Sequence, residues 1–280
     1  MVAGARLNRA QQAITALRPY AVKTGDILRS VAGGNGGDGD VAAYDEAATL
    51  HPFLARRAEE NVLIVLFSSD RGLCGAFNTN VNKAAERQWR ELVAAGKKVS
   101  FLTVGRKGKE YVARRGASIR ADVPKPYEGL DLGKARAVAL LVSKAFAAKE
   151  IDAVYVVFNE FKSAITQKVT LTQLLPLPAA ALETGGGGKE SELRAEFLFE
   201  PHKKALLRQL VPMYVEITIF RAMLESQAGF FGAQMTAMDS ATRNAGDMIK
   251  RLSLAYNRAR QAAITKELME IIGGAEALKE

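Results

Sequence analysis

A strict alternation of three- and four-residue steps between residues that are small or apolar, except for two glutamines, runs through the last quarter of the chain. No other feature constrains the fold as strongly. This spacing is the 3.5-residue repeat of a coiled coil, and it predicts one helix from about residue 213 to 272, roughly 90 Å long at 1.5 Å per residue. The fourteen seam positions are Ile217, Phe220, Leu224, Gln227, Phe231, Gln234, Met238, Ala241, Ala245, Met248, Leu252, Ala255, Ala259 and Ala262.

The beginning of the chain carries the same repeat over a shorter distance. Its seam runs from Ala3 to Val31 and predicts a helix of roughly 45 Å that bends at Pro19, an interior proline that removes one backbone hydrogen bond. The C-terminal helix is therefore longer than its N-terminal partner, and Gly229, Gly232 and Gly246 weaken it further. We expect its unpaired part to pack on other chains, with a plain intramolecular helical hairpin as the alternative.

The middle of the chain has a different pattern. Four β-branched or aromatic runs, 62–68, 99–104, 153–158 and 169–174, are separated by segments of helical spacing at 82–95 and 134–148, and a further strand is predicted at 194–199 after a glycine-rich loop at 184–188. This order predicts an α/β fold: a mainly parallel, Rossmann-like domain inserted into a long antiparallel coiled coil of the N- and C-terminal helices. The expected divisions are residues 1–32 (helix), 33–60 (glycine-rich linker and connecting segment), 61–200 (α/β domain) and 201–280 (helix).

Composition excludes several classes of site. One cysteine, Cys74, rules out an internal disulfide, and two histidines, His51 and His202, leave few ligands for zinc. The longest apolar runs fall far short of the ~18 residues that cross a bilayer, so any membrane association is expected to be peripheral. The formal net charge of +9 favours acidic partners.

Nucleotide and enzyme sites have weak support. Gly34, Gly36 and Gly39 match GxGxxG in spacing, but they follow a helix and stand beside acidic residues. The loop at 70–75 follows the first strand, where doubly wound sheets bind ligands, and it is a candidate contact site. Because Cys74 has no histidine nearby in sequence to act as a base, we predict no catalytic residue, no cofactor and no metal.

Basic residues are concentrated between Lys83 and Arg120, a stretch that contains eleven basic and only three acidic residues. Nucleic acid is one possible partner of such a surface. Because this stretch has few aromatic residues and no nucleic-acid-binding motif, a solvated surface or one that faces an acidic protein is favoured.

Four motifs resemble one family over essentially the whole chain. They are RPY at 18–20, SSDRGLCGAFN at 68–78, MTAMDSATRNA at 235–245 and YNRARQAAITKELMEIIGGA at 256–275. These motifs resemble the gamma subunit of the F-type ATP synthase. The resemblance implies a central rotor shaft that couples proton flow through the membrane ring to ATP synthesis or hydrolysis by rotation. It also implies a non-catalytic subunit, with a non-rotary coiled-coil scaffold or nucleic-acid-binding protein as the alternative function.

The resemblance implies partners, contact residues and a location. The expected partners are the alpha and beta subunits of the catalytic hexamer, the epsilon subunit and the ring of c subunits. The location is peripheral, on the cytoplasmic side of a bacterial cell membrane. The beta subunits are expected to meet Arg260, Gln261 and Thr265 on the long helix and Asp70, Arg71 and Cys74 in the 70–75 loop.

The first residues align with the end of a basic helical segment of about two dozen residues that opens most members of the resembled family. We expect a start codon assigned too far downstream, with a truncated chain as the alternative. A real truncation would shorten the N-terminal strand of the coil and leave more of the C-terminal helix unpaired.

Overall fold

The two terminal helices form as predicted, and four of the predicted strands lie in the sheet between them. The computed structural model describes residues 2–32, 51–177 and 203–277. The helices are α1 (Val2–Ala32), α2 (Phe77–Ala94), α3 (Arg106–Ala113), α4 (Leu132–Ala147) and α5 (Lys203–Ala277), with a short 3-10 helix at Pro52–Leu54. The strands are β1 (Asn61–Phe67), β2 (Lys98–Val104), β3 (Ser118–Val123), β4 (Ala153–Phe161) and β5 (Gln167–Leu175).

The sheet is mixed, with the order β3-β2-β1-β4-β5. The first four strands in this order are parallel, and β5 runs antiparallel to β4 at the edge. Crossover helices connect the parallel strands, which is why β1, in the centre, is buried on both faces along almost its whole length. The predicted mainly parallel α/β architecture is confirmed.

Two apolar layers enclose the sheet. Leu63, Val65 and Phe67 of β1 point to one face, where α4 and parts of α1 and α5 pack. The alternate residues of β1 point to the other face and pack against α2 and α3. This two-sided burial follows from the period of two along a strand.

Helix α1 pairs antiparallel with the first part of α5. The Cα of Gly4 lies beside Met235, because a Cβ added there would be 3.7 Å from the Met235 Sδ. Near the other end of the pair, the Tyr20 hydroxyl donates to the Met213 Sδ at 3.4 Å. Seam residues of α1 are buried, among them Leu7, Ala10, Ile14, Leu28 and Val31. The predicted antiparallel pairing is confirmed, and α1 continues through Pro19, so the bend there stays a prediction.

Two elements of the domain were not predicted. Helix α3 lies within the basic stretch and β3 begins in it, and there the charged residues obscure the apolar pattern. Helix α3 has only eight residues, and every second residue of the edge strand β3 is exposed. The alternation in β3 identifies a half-buried edge strand only once its neighbour β2 is known.

Some predictions fall outside the described residues. They concern the GxGxxG glycines, the loop at 184–188, the strand at 194–199 and His202. The division of the chain after residues 32, 60 and 200 likewise stays a prediction. By compactness the chain forms two units, Met1–Met235 and Thr236–Glu280, and the described part of the second is the continuation of α5.

Candidate functional site

The loop between β1 and α2 caps the beginning of helix α3. The first N–H groups of a helix have no intrahelical acceptor, and here three consecutive ones bind to this loop. The pairs are Arg106 N–H to Asp70 Oδ1 (2.9 Å), Lys107 N–H to the Ser69 carbonyl (3.0 Å) and Gly108 N–H to Ser68 Oγ (2.8 Å). The loop itself thus occupies the helix end at which a bound phosphate is normally held.

Two glycines permit this close approach. Gly105 has φ +105°, and a Cβ there would lie 2.3 Å from the Ser68 carbonyl oxygen. At Gly108 a Cβ would lie 2.8 Å from the Ser68 Oγ. Any larger residue would push α3 away from the loop and break the hydrogen bonds that hold it.

Inside the loop, Cys74 is a buried packing residue. Its Sγ accepts a hydrogen bond from Asn78 Nδ2 at 3.3 Å, and the Asn78 Oδ1 accepts the Ser69 N–H at 3.1 Å. Burial raises the pKa of the Cys74 thiol, so the neutral form persists at neutral pH. Cys74 therefore supports the loop from within.

The tip of the loop faces solvent. The Arg71 side chain is 76% exposed and lies 4.0 Å from Glu128 as an open ion pair. Leu73 is 73% exposed and has φ +62°, a conformation that disfavours any residue with a Cβ. Sequence reasoning missed Leu73, because nothing in the sequence signals a left-handed leucine. Arg71 and Leu73 are the side chains that a partner would meet first.

The crevice in which Rossmann-like domains bind ligands is closed by the chain's own residues. It lies at the carboxyl ends of β1 and β4, where the strand order reverses. A Cβ on Gly229 of α5 would lie 3.2 Å from Phe77 Cε2 and 3.7 Å from Asn159 Cβ, so the helix backbone covers this point. Tyr127 fills the neighbouring space: Gln227 Nε2 donates to its carbonyl at 3.0 Å, and burial raises the pKa of its hydroxyl.

The basic stretch is largely neutralised within the domain. Glu86 makes several of these contacts at once: its carboxylate accepts the Tyr111 hydroxyl at 2.6 Å and lies 2.5 Å from Arg90 Nη2 and 2.9 Å from Arg115 Nε. These contacts, with the Tyr111 hydrogen bond first, hold the pKa of Glu86 below its usual value. Further ion pairs join Lys97 to Glu59, Arg106 and Lys107 to Glu110, Lys109 to Asp122 and Arg120 to Glu150.

The second unit carries the other predicted contact residues. Arg260, Gln261 and Thr265 are all exposed on neighbouring turns of α5, and Arg260 makes no ion pair with the residues that the structure describes. Apolar side chains on the same stretch are exposed as well. They are Met248, Ile249, Leu252, Leu254, Tyr256, Ile264, Leu268, Met269, Ile271 and Ile272. So much exposed apolar surface on one helix is typical of a protein-binding segment.

The comparisons with known proteins identify the family. The family model described as ATP synthase matches residues 1–278. The ATP synthase gamma chain of Sorangium cellulosum is 51% identical over 298 aligned residues, which cover 100% of this chain and 92% of that protein. The gamma chain of Anaeromyxobacter sp. is 44% identical and covers 100% of this chain and 91% of its own length. The chain belongs to the ATP synthase gamma-chain family.

Solved structures agree with this family at the level of fold. A chain of the Euglena gracilis mitochondrial ATP synthase superposes with a TM-score of 0.58 at 19% identity, covering 98% of this chain and 95% of that one. A chain from the central stalk and c-ring of the Tetrahymena thermophila enzyme gives a TM-score of 0.53 at 23% identity, with coverages of 86% and 100%. The predicted rotor shaft of an ATP synthase is confirmed by family membership, and no comparison favours a scaffold or a nucleic-acid-binding protein.

The described ranges contain neither a cluster of metal ligands nor a membrane-spanning helix. Within residues 2–32, 51–177 and 203–277, no group of three or more His, Cys, Asp or Glu side chains is arranged to hold a metal ion. In the same ranges, no helix combines the length and apolar character needed to cross a bilayer.

Proposed function

We propose that this gamma-chain family member turns as the central shaft inside a hexamer of alpha and beta subunits and carries no catalytic residue of its own. The observation that supports this most directly is the family match over residues 1–278, together with a helix exposed on every side from residue 247 to residue 274. A helix of this kind is not stable in water by propensity alone, and a surrounding sleeve of subunits would bury it.

The beta-subunit contacts proposed here are Arg260, Gln261 and Thr265 on the helix and the loop with Asp70, Arg71 and Cys74. In the loop, Arg71 would make the charged contact to acidic groups of beta, while Asp70 and Cys74 hold the loop in shape. Exposed ion pairs are worth only ~0.2 to 1 kcal/mol each. Contacts this weak can be made and broken at every step of a rotation.

Rotation by itself explains how a shaft without catalytic groups acts on catalytic sites. An asymmetric shaft presents different side chains to each of the surrounding beta subunits. A conformational equilibrium shifts only as far as such differential contacts allow. Each orientation of the shaft would therefore favour a different conformation at each beta site.

The α/β domain is proposed as the foot of the rotor. It would contact the epsilon subunit and the ring of c subunits, peripherally on the cytoplasmic side of a bacterial membrane. Two observations support this: the relatives in Sorangium cellulosum and Anaeromyxobacter sp. are ATP synthase gamma chains, and a solved structure of the same fold from Tetrahymena thermophila is described as a central stalk with its c-ring.

Native mass spectrometry tests the assembly. A tag placed within residues 185–188 leaves both helical ends free, and the captured complex is weighed intact. We expect alpha, beta and epsilon subunits and the c ring to be captured with the chain. Recovery of the chain alone, or bound to nucleic acid, would refute the proposed rotor.

The contact residues are tested separately. We expect Arg260→Ala combined with Gln261→Ala to weaken coupling or assembly, while the isolated chain unfolds at an unchanged temperature because both side chains are exposed. Arg87→Ala, at an exposed arginine of α2, is the matched control and should change neither property. A clearly lower unfolding temperature of the double variant would show that these residues stabilise the chain itself.

A further inference from the structure

Three residues of α5 form one face that receives the hairpin between β4 and β5. Glu225, Gly229 and Gly232 are spaced by four and three positions, so they lie on one side of the helix. Each of them contacts the hairpin, whose turn spans residues 162–166. We call this face, with the hairpin residues against it, the joint.

Glu225 connects three elements at the joint. Its side chain is completely buried, and its Oε2 accepts the backbone N–H of Phe161, the last residue of β4, at 2.8 Å. Its Oε1 lies 3.8 Å from Arg18 of α1 and 3.7 Å from Arg221 of α5. Oε1 makes no hydrogen bond within the described residues, so its interaction with the two arginines is one of charge. Through these contacts and the Oε2 hydrogen bond, the carboxylate links the sheet to both helices.

The two glycines let the hairpin approach the helix closely, with its backbone against Gly232 and a side chain against Gly229. A Cβ on Gly232 would lie 3.0 Å from the Ala164 carbonyl oxygen and 3.2 Å from its Cα. A Cβ on Gly229 would lie 3.3 Å from Gln167 Cγ on the same hairpin. Both glycines weaken the helix in which they stand, and the close approach explains why side chains are absent there.

We propose that this joint transmits torque between the α/β domain and the paired helices, with Glu225 as a positioning residue. The inference rests on the proposed rotor function and deepens it. Torque between two packed bodies is lost wherever their surfaces can slide. Flexible side chains at a contact permit sliding, whereas close-packed backbone and a buried charged hydrogen bond resist it.

Loosening the joint should separate two activities that normally go together. The paired helices inside the hexamer can still turn and support ATP hydrolysis, while the domain at the foot no longer follows them under load. The variants are Gly232→Ala, Glu225→Gln and their combination. Glu225→Gln keeps an oxygen for the Phe161 N–H but leaves the two arginines without their carboxylate.

The experiment uses the complete complex in inverted membrane vesicles. ATP hydrolysis and ATP-driven proton uptake are measured on the same preparation, and subunit content is checked by native mass spectrometry. We expect the combined variant to hydrolyse ATP at close to the wild-type rate but to lose proton uptake, with a smaller loss for each single variant. Hydrogen exchange at the Phe161 amide should also be faster in the combined variant.

A matched control comes from the same helix. Glu216→Gln breaks only the ion pair to Arg136, which lies at the surface of the domain. It should keep the wild-type ratio of proton uptake to hydrolysis.

Two results would overturn the proposed joint. One is a wild-type ratio in the combined variant, and the other is a parallel fall of hydrolysis and uptake that leaves the ratio unchanged. If the combined variant does not assemble, the ratio of proton uptake to ATP hydrolysis in the Gly232→Ala variant tests the proposed joint instead. A wild-type complex without the chain, or without coupled uptake, would instead refute the proposed function and remove the basis of the joint.

Discussion

Replacing Gly105 by alanine should destabilise the α/β domain far more than the same change at a glycine in open space. Gly105 precedes α3 with φ 105° and ψ 141°, a region of backbone conformation essentially reserved for glycine. Its added methyl group would also lie 2.3 Å from the Ser68 carbonyl oxygen, a distance at which the backbone must move.

The two effects can be estimated separately. A strained backbone conformation costs about 1 to 3 kcal/mol, and an overpacked contact costs about as much again. We therefore expect Gly105→Ala to lower the free energy of unfolding by about 2 to 6 kcal/mol. Gly96→Ala is the matched control, because Gly96 has φ +79° with nothing within 4 Å of its added Cβ. It should lower the free energy of unfolding by only about 1 to 2 kcal/mol.

The assay uses the single tryptophan of the chain. Trp89 packs edge-on against Phe101 at a centroid distance of 5.8 Å, within the apolar layer that α2 and α3 form on the sheet. Its fluorescence during urea unfolding therefore reports on the domain alone. Equal losses of stability for Gly105→Ala and Gly96→Ala would refute the argument that the Ser68 contact requires glycine.

Three further predictions concern single side chains. Asp70→Ala should lower the free energy of unfolding by about 1 kcal/mol in the same fluorescence assay, because Asp70 caps α3; an unchanged midpoint would contradict this. Cys74 should react with a thiol reagent at pH 8 much more slowly in the folded chain than in urea, since burial raises its pKa; equal rates would show an accessible thiolate. The contacts of Glu86 hold its pKa in the folded chain below that in the unfolded chain. Its ionised carboxylate therefore adds on the order of 1 kcal/mol to the free energy of unfolding above about pH 4.3, and this contribution is lost as the pH falls through the folded pKa. The difference in stability between wild type and Glu86→Gln should therefore vanish in acid, whereas Glu91→Gln, at an exposed glutamate of α2, should have no effect at either pH.

The order of most helices and strands could be predicted because it depends on the local spacing of apolar residues. The 3,4 repeat specifies two helices with apolar seams, and four of the predicted β-branched or aromatic runs correspond to strands of the sheet. The charged edge strand β3 and the short helix α3 could not be predicted. Their existence depends on neighbours that are distant in sequence, such as β2 and the loop at Ser68 that caps α3.

The candidate site divides in the same way. The sequence pointed to Arg71 and to Arg260, which are exposed charged residues whose motifs resemble those of the family. It could not show that Cys74 is buried beneath the loop or that Leu73 stands at its tip, because burial and a left-handed φ arise only from packing. Gly232 is the clearest example, since by sequence it only weakens a helix.

The amino-acid sequence alone specifies the periodicities that predict two coiled-coil helices around an α/β domain, and it carries the motifs that resemble the family. Periodicity is a local property, because each residue's preference for one face depends on its neighbours three or four positions away. Tertiary packing, by contrast, closes the ligand crevice with the α5 backbone at Gly229 and with Tyr127, and it buries Glu225 between α1, β4 and α5. Those contacts join residues more than sixty positions apart. Their geometry is set by how whole elements pack, which no local pattern encodes.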